Sequence, residues 1–214
     1  MTSRKRGRPV ASRRLENLIR QNGFTCIAGV DEVGRGSIAG SVVASAVIID
    51  AAARIKGLRD SKMLTGQRRE EIFAEIVGSS YWSTAEVGPA EIDQINIHNA
   101  SLKAMRLAVA TLGSPVDFVL VDGLFPLPDL WLPQQAVVAG DRKCAAIAAA
   151  SIVAKVTRDN QMRNLHELYP VYGFDRNKGY ATEKHLQAVE KFGYSDVHRH
   201  SFKLRGIRKY GLER

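Results

Sequence analysis

The sequence predicts a mixed-sheet α/β domain flanked by helices, with a helical C-terminal extension. Three observations carry that class. Short β-branched runs alternate with segments whose apolar residues recur at helical spacing. In the run DFVLV at residues 117–121 the four residues after Asp117 are all apolar, as a strand covered on both faces must be. Residues 144–168 begin almost wholly apolar and then become charged, the pattern of a long helix whose first half is buried.

The elements follow in order. Residues 25–30 form a short apolar run that ends in Asp31-Glu32, and Gly34, Gly36 and Gly40 then punctuate a turn. Residues 41–49 (with Val42, Val43, Val47, Ile48 and Ile49) are a second strand, antiparallel to the first. Ile72, Phe73, Ile76 and Val77 mark a helix over 66–77, and 81–87 is a third strand. Leu102, Met105, Val109 and Leu112 define one helix face. The fourth strand, 117–121, is closed by Asp122-Gly123, and 136–138 is a short fifth. After the long helix the chain is rich in Gly, Tyr and His, with a short helix at 183–191.

Composition narrows the function. The 214 residues are 45% hydrophobic, enough for one core without disulfides. Cys26 and Cys144 are far apart, and no C-x-x-C pair exists, which argues against a thiolate zinc site and fits a reducing compartment. No apolar run reaches the ~20 residues of a membrane span, and the basic start lacks the apolar stretch of a signal peptide, so the expected location is cytoplasmic. The net charge of +9 sits at the ends: residues 1–15 carry +6 and 201–214 carry +4, leaving −1 for the body. Residues 1–15 read as a disordered basic arm and 203–214 as a basic tail. Such arms attract phosphate backbones, or serve only as solvated tails. The run Arg6-Gly7-Arg8-Pro9 resembles the core of an AT-hook, a four-residue match.

Two strands end in acid. If the first and fourth strands lie parallel and adjacent, Asp31 and Asp122 converge at one sheet edge, where open α/β sheets place their sites. Glu32 joins them only if the strand ends or bulges there. Asp141 precedes the long helix and reads equally as its N-cap. Crowded carboxylates repel one another, and a divalent cation relieves this; oxygen ligands suit Mg2+ or Mn2+.

The segment Gly34-Arg35-Gly36-Ser37-Ile38-Ala39 also fits the dinucleotide fingerprint G-x-G-x-x-A. Acids beside a pyrophosphate and a β-branched segment after the loop argue against that oxidoreductase reading. The alternative is a turn that contacts a sugar-phosphate chain, with Arg35 as a phosphate ligand. A non-catalytic nucleic-acid-binding module is a further rival, but it leaves the strand-end acids unexplained.

Residues 29–36 (GVDEVGRG) resemble the opening motif of ribonuclease HII. The similarity continues through Asp60-Ser61-Lys62, Ile92-Asp93 with Asn96-Ile97, Val121-Asp122-Gly123, Gly140-Asp141, residues 148–159 (AAASIVAKVTRD), Tyr172-Gly173-Phe174 and Lys178-Gly179-Tyr180, over about 26–202. The resemblance implies a ribonuclease H-like catalytic domain over 16–202. It implies Asp31, Glu32, Asp122 and Asp141 as catalytic acids holding Mn2+ or Mg2+, two ions during catalysis. It implies that Gly34, Arg35 and Gly36 sense the 2′-OH at an RNA–DNA junction, that Tyr180 packs on the deoxyribose 3′ of the cut, and that Lys62 contacts a phosphate. The expected substrates are RNA/DNA hybrids and duplex DNA with single ribonucleotides, cut by a monomer to leave 3′-OH and 5′-phosphate ends; a replication clamp is a possible partner. The sister ribonuclease HIII carries an extra N-terminal substrate-binding domain, for which the arm here is too short. The sequence departs from the family at Ala139, where Lys is usual, at His200, where Arg is usual, and between Asp122 and Asp141, which looks about one residue long.

Overall fold

The computed structural model describes residues 11–58, 61 and 64–202. Within them the chain runs α1 (Arg14–Gln21), β1 (Ile27–Val33), β2 (Val42–Ile49), α2 (Gly66–Ser79), β3 (Ser80–Val87), α3 (Pro89–Ala110), β4 (Phe118–Asp122), β5 (Gln134–Val137), α4 (Ala145–Leu168), α5 (Phe174–Asn177) and α6 (Glu183–Phe192). The strands form one sheet in the order β3-β2-β1-β4-β5. β1 pairs antiparallel with β2 and parallel with β4, so the sheet is mixed, as expected.

The apolar runs are explained by cover on both faces. Val42, Ala44, Ala46 and Ile48 of β2 pack with α3, whereas Val47 and Ile49 pack with α2 and α4. The same alternation puts Ala28 and Val30 of β1, and Val119 and Val121 of β4, on the α3 side. Ile27 and Leu120 pack on the opposite side, beneath Ile147 of α4. α4 approaches β1 so closely that a Cβ on Gly29 would lie 2.2 Å from the carbonyl carbon of Ala146. Only glycine allows that contact.

Three elements differ from expectation. Residues 11–15, read as part of a disordered arm, belong to the fold. Ala11 N–H donates to Leu58 (3.1 Å), Ser12 pairs with the chain at Cys144, and the Arg13 guanidinium binds the carbonyls of Asp50, Ala51 and Ala53. α1 follows, a helix the sequence reading did not contain. Its Glu16 explains why the start is ordered: Cys144, the N-cap of α4, makes no side-chain capping bond, and the buried Glu16 carboxylate accepts from Ala146 N–H instead (2.8 Å). Second, β5 begins at Gln134 rather than 136, because main-chain pairing with β4 holds this edge strand and its polar glutamines hide it. Third, α3 is kinked at Asn96 (φ 63°), whose Oδ1 accepts from the amides of His98 and Asn99 and so starts the second segment. Residues 1–10 and 203–214, which carry the AT-hook-like run and most of the basic ends, lie outside the described residues. No described helix is long and apolar enough to cross a membrane.

The extension closes around Met162, Tyr172, Phe174, Ala188 and Val189, with Ala39 from the turn after β1 in the same cluster. Replacing Gly29 with Ala drives a methyl into the α4 main chain, and only moving the helix relieves it. Urea unfolding should show a loss of ~2–3 kcal/mol; an unchanged midpoint would contradict this close approach.

Candidate active site at the β1–β4 edge

The parallel register sets Val30 opposite Val121, so Asp31 and Asp122 emerge side by side at the C-terminal ends of β1 and β4. By strand alternation both lie on the α4 side of the sheet. Asp122 Oδ1 accepts from Gly140 N–H (2.6 Å), which ties the strand end to the short 3-10 turn Gly140–Arg142 that carries Asp141. Cys144, not Asp141, takes the N-cap position of α4. β1 stays paired with β2 through Val33, so the strand neither ends nor bulges at Glu32. The Glu32 carboxylate is nearly buried and receives Arg35 Nη1 at 3.0 Å.

Crowding has an electrostatic cost here. Burial first, and then the negative charges of Glu32 and Asp122, hold the Asp31 carboxyl well above the usual carboxylate range; the Ser151 hydroxyl and the Glu32 amide oppose the shift. Ser151 is in turn bonded to Ser61 (Oγ to Oγ 3.0 Å), deep between α4 and the loop before α2. Among the described residues no three His, Cys, Asp or Glu side chains form a ready-made cage for an ion. Mg2+ does not require one: it keeps several waters and takes one or two carboxylates together with substrate phosphates. An all-oxygen donor set whose negative charges already repel one another fits such an ion.

The glycine turn that follows β1 leads into strand β2, not a helix, so it offers no helix N-terminus to a pyrophosphate. It rests instead on two buried arginines. Arg158 of α4 donates from Nε to Ser41 (3.0 Å), from Nη1 to Lys178 (2.9 Å) and from Nη2 to Ala39 (3.2 Å). Its guanidinium lies so close beneath the turn that a Cβ on Gly34 (φ +94°) would meet Nε at 2.2 Å. Arg199 donates from Nε and Nη2 to Gly40 (2.9 and 2.7 Å) and from Nη1 to Arg35 (3.1 Å). Burial, and then the Arg158 charge, pull Arg199 down to about 9, so it remains a cation at neutral pH. Two guanidinium charges under the turn and Arg35 exposed on it make a positive surface that suits a phosphate chain.

The sequence reading contained both arginines within its family stretches but gave them no role. A signal was present for one: Ser151 and Arg158 are seven residues apart, two helical turns, and so lie on the same face of α4. Tyr180 stands beside the turn. A Cβ on Gly36 would lie 3.7 Å from its ring, and the Gly179 carbonyl accepts from the amides of Ile38 and Ala39. Arg35, Gly36 and Tyr180 are all exposed. Asp31 and Asp122 thus share the α4 side of one sheet edge, with Asp141 next to Gly140 in the turn tied to Asp122, whereas Glu32 faces the other side of β1 by strand alternation and reaches the glycine turn through Arg35; Lys62, like Asp60, lies outside the described residues. The departure at His200 is spent on the fold: its amide donates to Asp93 and its ring packs on Tyr194. Ala139 is exposed in a left-handed conformation.

The family model described as Ribonuclease HII matches residues 28–205. A ribonuclease HII of Caldicellulosiruptor saccharolyticus is 49% identical over 188 residues, covering 87% of this chain and 91% of its own. Among solved structures, the ribonuclease HII of Archaeoglobus fulgidus, in its complex with PCNA, superposes with a TM-score of 0.72 at 25% identity, covering 88% of this chain and 98% of that one. The Bst ribonuclease HIII in complex with Mn2+ shares the fold at a TM-score of 0.61 and 16% identity, covering 81% of this chain but 65% of that one.

Two outcomes follow from the geometry. Asp31→Asn keeps an acceptor for the Glu32 amide and removes a buried charge beside two others. At neutral pH it should raise the thermal midpoint by ~2–4 °C, about 1 kcal/mol for a domain of this size; a lowered midpoint by calorimetry would contradict the repulsion. Arg199→Met leaves the Arg35 and Gly40 carbonyls without their donors and should cost ~2–4 kcal/mol in chemical denaturation. A loss below ~0.5 kcal/mol, the range of ordinary surface changes, would show that the turn does not rest on Arg199.

Proposed function

The chain belongs to the ribonuclease HII family, ribonucleases that hydrolyse the RNA strand of RNA–DNA hybrids, and on that premise we propose that it also cuts on the 5′ side of single ribonucleotides embedded in duplex DNA. The observation that carries the reading is the pairing of Asp31 and Asp122 at one sheet edge beside the exposed Arg35 turn and Tyr180. Asp31, Glu32 and Asp122, with Asp141, would hold Mg2+ or Mn2+. Ions bound there would supply the activation of water and the neutralisation of charge on the leaving oxygen. The water oxygen bonds to phosphorus and the bond to the 3′ oxygen of the preceding nucleotide breaks, leaving 3′-OH and 5′-phosphate ends.

The chain's own groups do the choosing. Gly34, Arg35 and Gly36 would read the 2′-OH, the one group that separates ribose from deoxyribose. Glycine at 34 and 36 lets main chain approach the sugar, and the buried arginines keep that main chain from yielding. Tyr180 would pack on the deoxyribose 3′ of the cut, so that the site registers a junction rather than a uniform duplex. Lys62 would hold a phosphate. The Bst ribonuclease HIII bound to Mn2+ supports divalent-metal use, and the match of the Ribonuclease HII family model to residues 28–205 favours the HII reading over the HIII one. The complex of the Archaeoglobus relative with PCNA supports a sliding clamp as a partner. The enzyme would act as a monomer in the cytoplasm.

The test uses a DNA duplex with one internal ribonucleotide, with Mg2+, with Mn2+ and with chelator. Incision 5′ of the ribose with either metal, and none with chelator, is expected. Asp122→Asn keeps the acceptor for Gly140 N–H but removes the charge, so turnover should fall at least ~10³-fold while duplex affinity stays within about threefold. Wild-type turnover in that variant, or cutting indifferent to the 2′-OH, would refute the reading.

A further inference from the structure

Behind Tyr180 lies a pair of buried histidines that the reaction as described does not use. We propose that His185 and His198 are positioning residues: they form a one-way hydrogen-bond chain that fixes the main chain of Tyr180, and thereby its ring, beside the Gly34–Gly36 turn. This deepens the reading of Tyr180 as a substrate-facing residue and rests on it.

The geometry sets the direction of the chain. His198 Nδ1 lies 2.9 Å from Ser195 N and 2.8 Å from Ser195 Oγ. An amide N–H can only donate, so Nδ1 carries a lone pair and the His198 proton sits on Nε2. That nitrogen faces His185 Nε2 at 3.1 Å, which must therefore accept. The His185 proton is then on Nδ1, 2.8 Å from the Tyr180 carbonyl, which can only accept. Each ring nitrogen has one role, and neither ring can take a second proton without setting two donors against each other. Burial lowers the pKa of both rings, with His198 brought down to about 4 by burial and then by His185. The pair is neutral at neutral pH.

The chain ends where rigidity is needed. Tyr180 N–H donates to Asn177 (2.9 Å), and its carbonyl accepts from Thr182 N–H (2.8 Å) as well as from His185. Thr182 is the N-cap of α6 and ties the carbonyl only to the start of that helix, whereas His185 ties it, through His198, to the segment at Ser195 as well. Tyr172 lies edge-on to both rings and donates its hydroxyl to Gly193 (2.9 Å). It packs the cluster without entering the chain to Tyr180, which makes it the control.

The experiment is steady-state cleavage of the single-ribonucleotide duplex by the full chain. His185→Phe should raise KM about tenfold, the worth of one buried hydrogen bond, and leave kcat within about twofold. His185→Asn places an amide N–H where Nδ1–H stood and should keep KM within about threefold of wild type. Tyr172→Phe should lower the thermal midpoint without moving KM. In a Tyr180→Ala background, His185→Phe should have no further effect on KM. Additive effects in that background overturn the inference, as do equal KM values for His185→Phe and His185→Asn or a rise in KM from Tyr172→Phe alone. Should His185→Phe fail to fold by circular dichroism, His198→Asn replaces it. That variant keeps the bond to Ser195 and breaks the link to His185; a KM raised at least about threefold supports the chain, and an unchanged KM overturns it. An unchanged KM in Tyr180→Ala itself would instead sink the reading of Tyr180, and this inference with it.

Discussion

Main-chain hydrogen bonds between β1 and β4, in the register that puts Val30 opposite Val121, force Asp31 and Asp122 together at the strand ends. Two like charges would not choose that arrangement in water. They are held there because Ala28, Val30, Val119 and Val121 bury one face of the seam against α3, while α4 lies on Gly29 on the other. Apolar burial acts along the whole strand, whereas the repulsion acts at its end, so the cooperative fold overrides the local conflict. The resulting strain is electrostatic and is concentrated where a cation would relieve it. A site of this kind is stable enough to persist and unsatisfied enough to bind.

The second constraint is the turn between β1 and β2. Glycines at 34, 36 and 40 would make it pliable, because each surrenders more backbone freedom on folding than any other residue. Arg158 and Arg199 counter this by binding five carbonyl groups of the turn and its neighbours with fixed, planar donors. Removing two cations from water is costly, and several charge-assisted hydrogen bonds to each guanidinium offset much of that cost. Their positive charge also stays beneath the exposed surface of the turn. The same groups therefore set the shape of the turn and bias its potential.

The C-terminal extension is part of this support. Arg199 reaches the turn from the segment after α6, Asp93 of α3 receives the amides of His200 and Ser201, and the Gly179 carbonyl receives those of Ile38 and Ala39. At the other end of the chain, Glu16 caps α4 and Arg13 gathers the carbonyls after β2. Both chain ends of the described region thus brace the two elements that frame the site. α4 is the common member: its N-terminus meets Glu16, its middle supplies Ser151 to Asp31, and Arg158 supports the turn.

The sequence alone determined the α/β class, the strand that ends in Asp31, the strand that ends in Asp122, the long buried helix and the family motifs. These are written in local periodicity and in short contiguous stretches. It did not determine α1, whose few apolar positions stand among arginines and whose order depends on Glu16 meeting a helix start 130 residues away. Nor did it give the start of β5, held by main-chain pairing that leaves no apolar trace, or the state of Glu32, which depended on whether β1 stays paired past Asp31. Whether Asp141 caps α4 was open until Cys144 was found at that position. The buried arginines and the histidine chain were equally hidden, because their partners are carbonyl oxygens and ring nitrogens distant in sequence. Hydrophobic pattern specifies which face of an element turns inward; which polar atom meets which is decided only when the elements pack, since every residue carries the same carbonyl and the pattern says nothing about it.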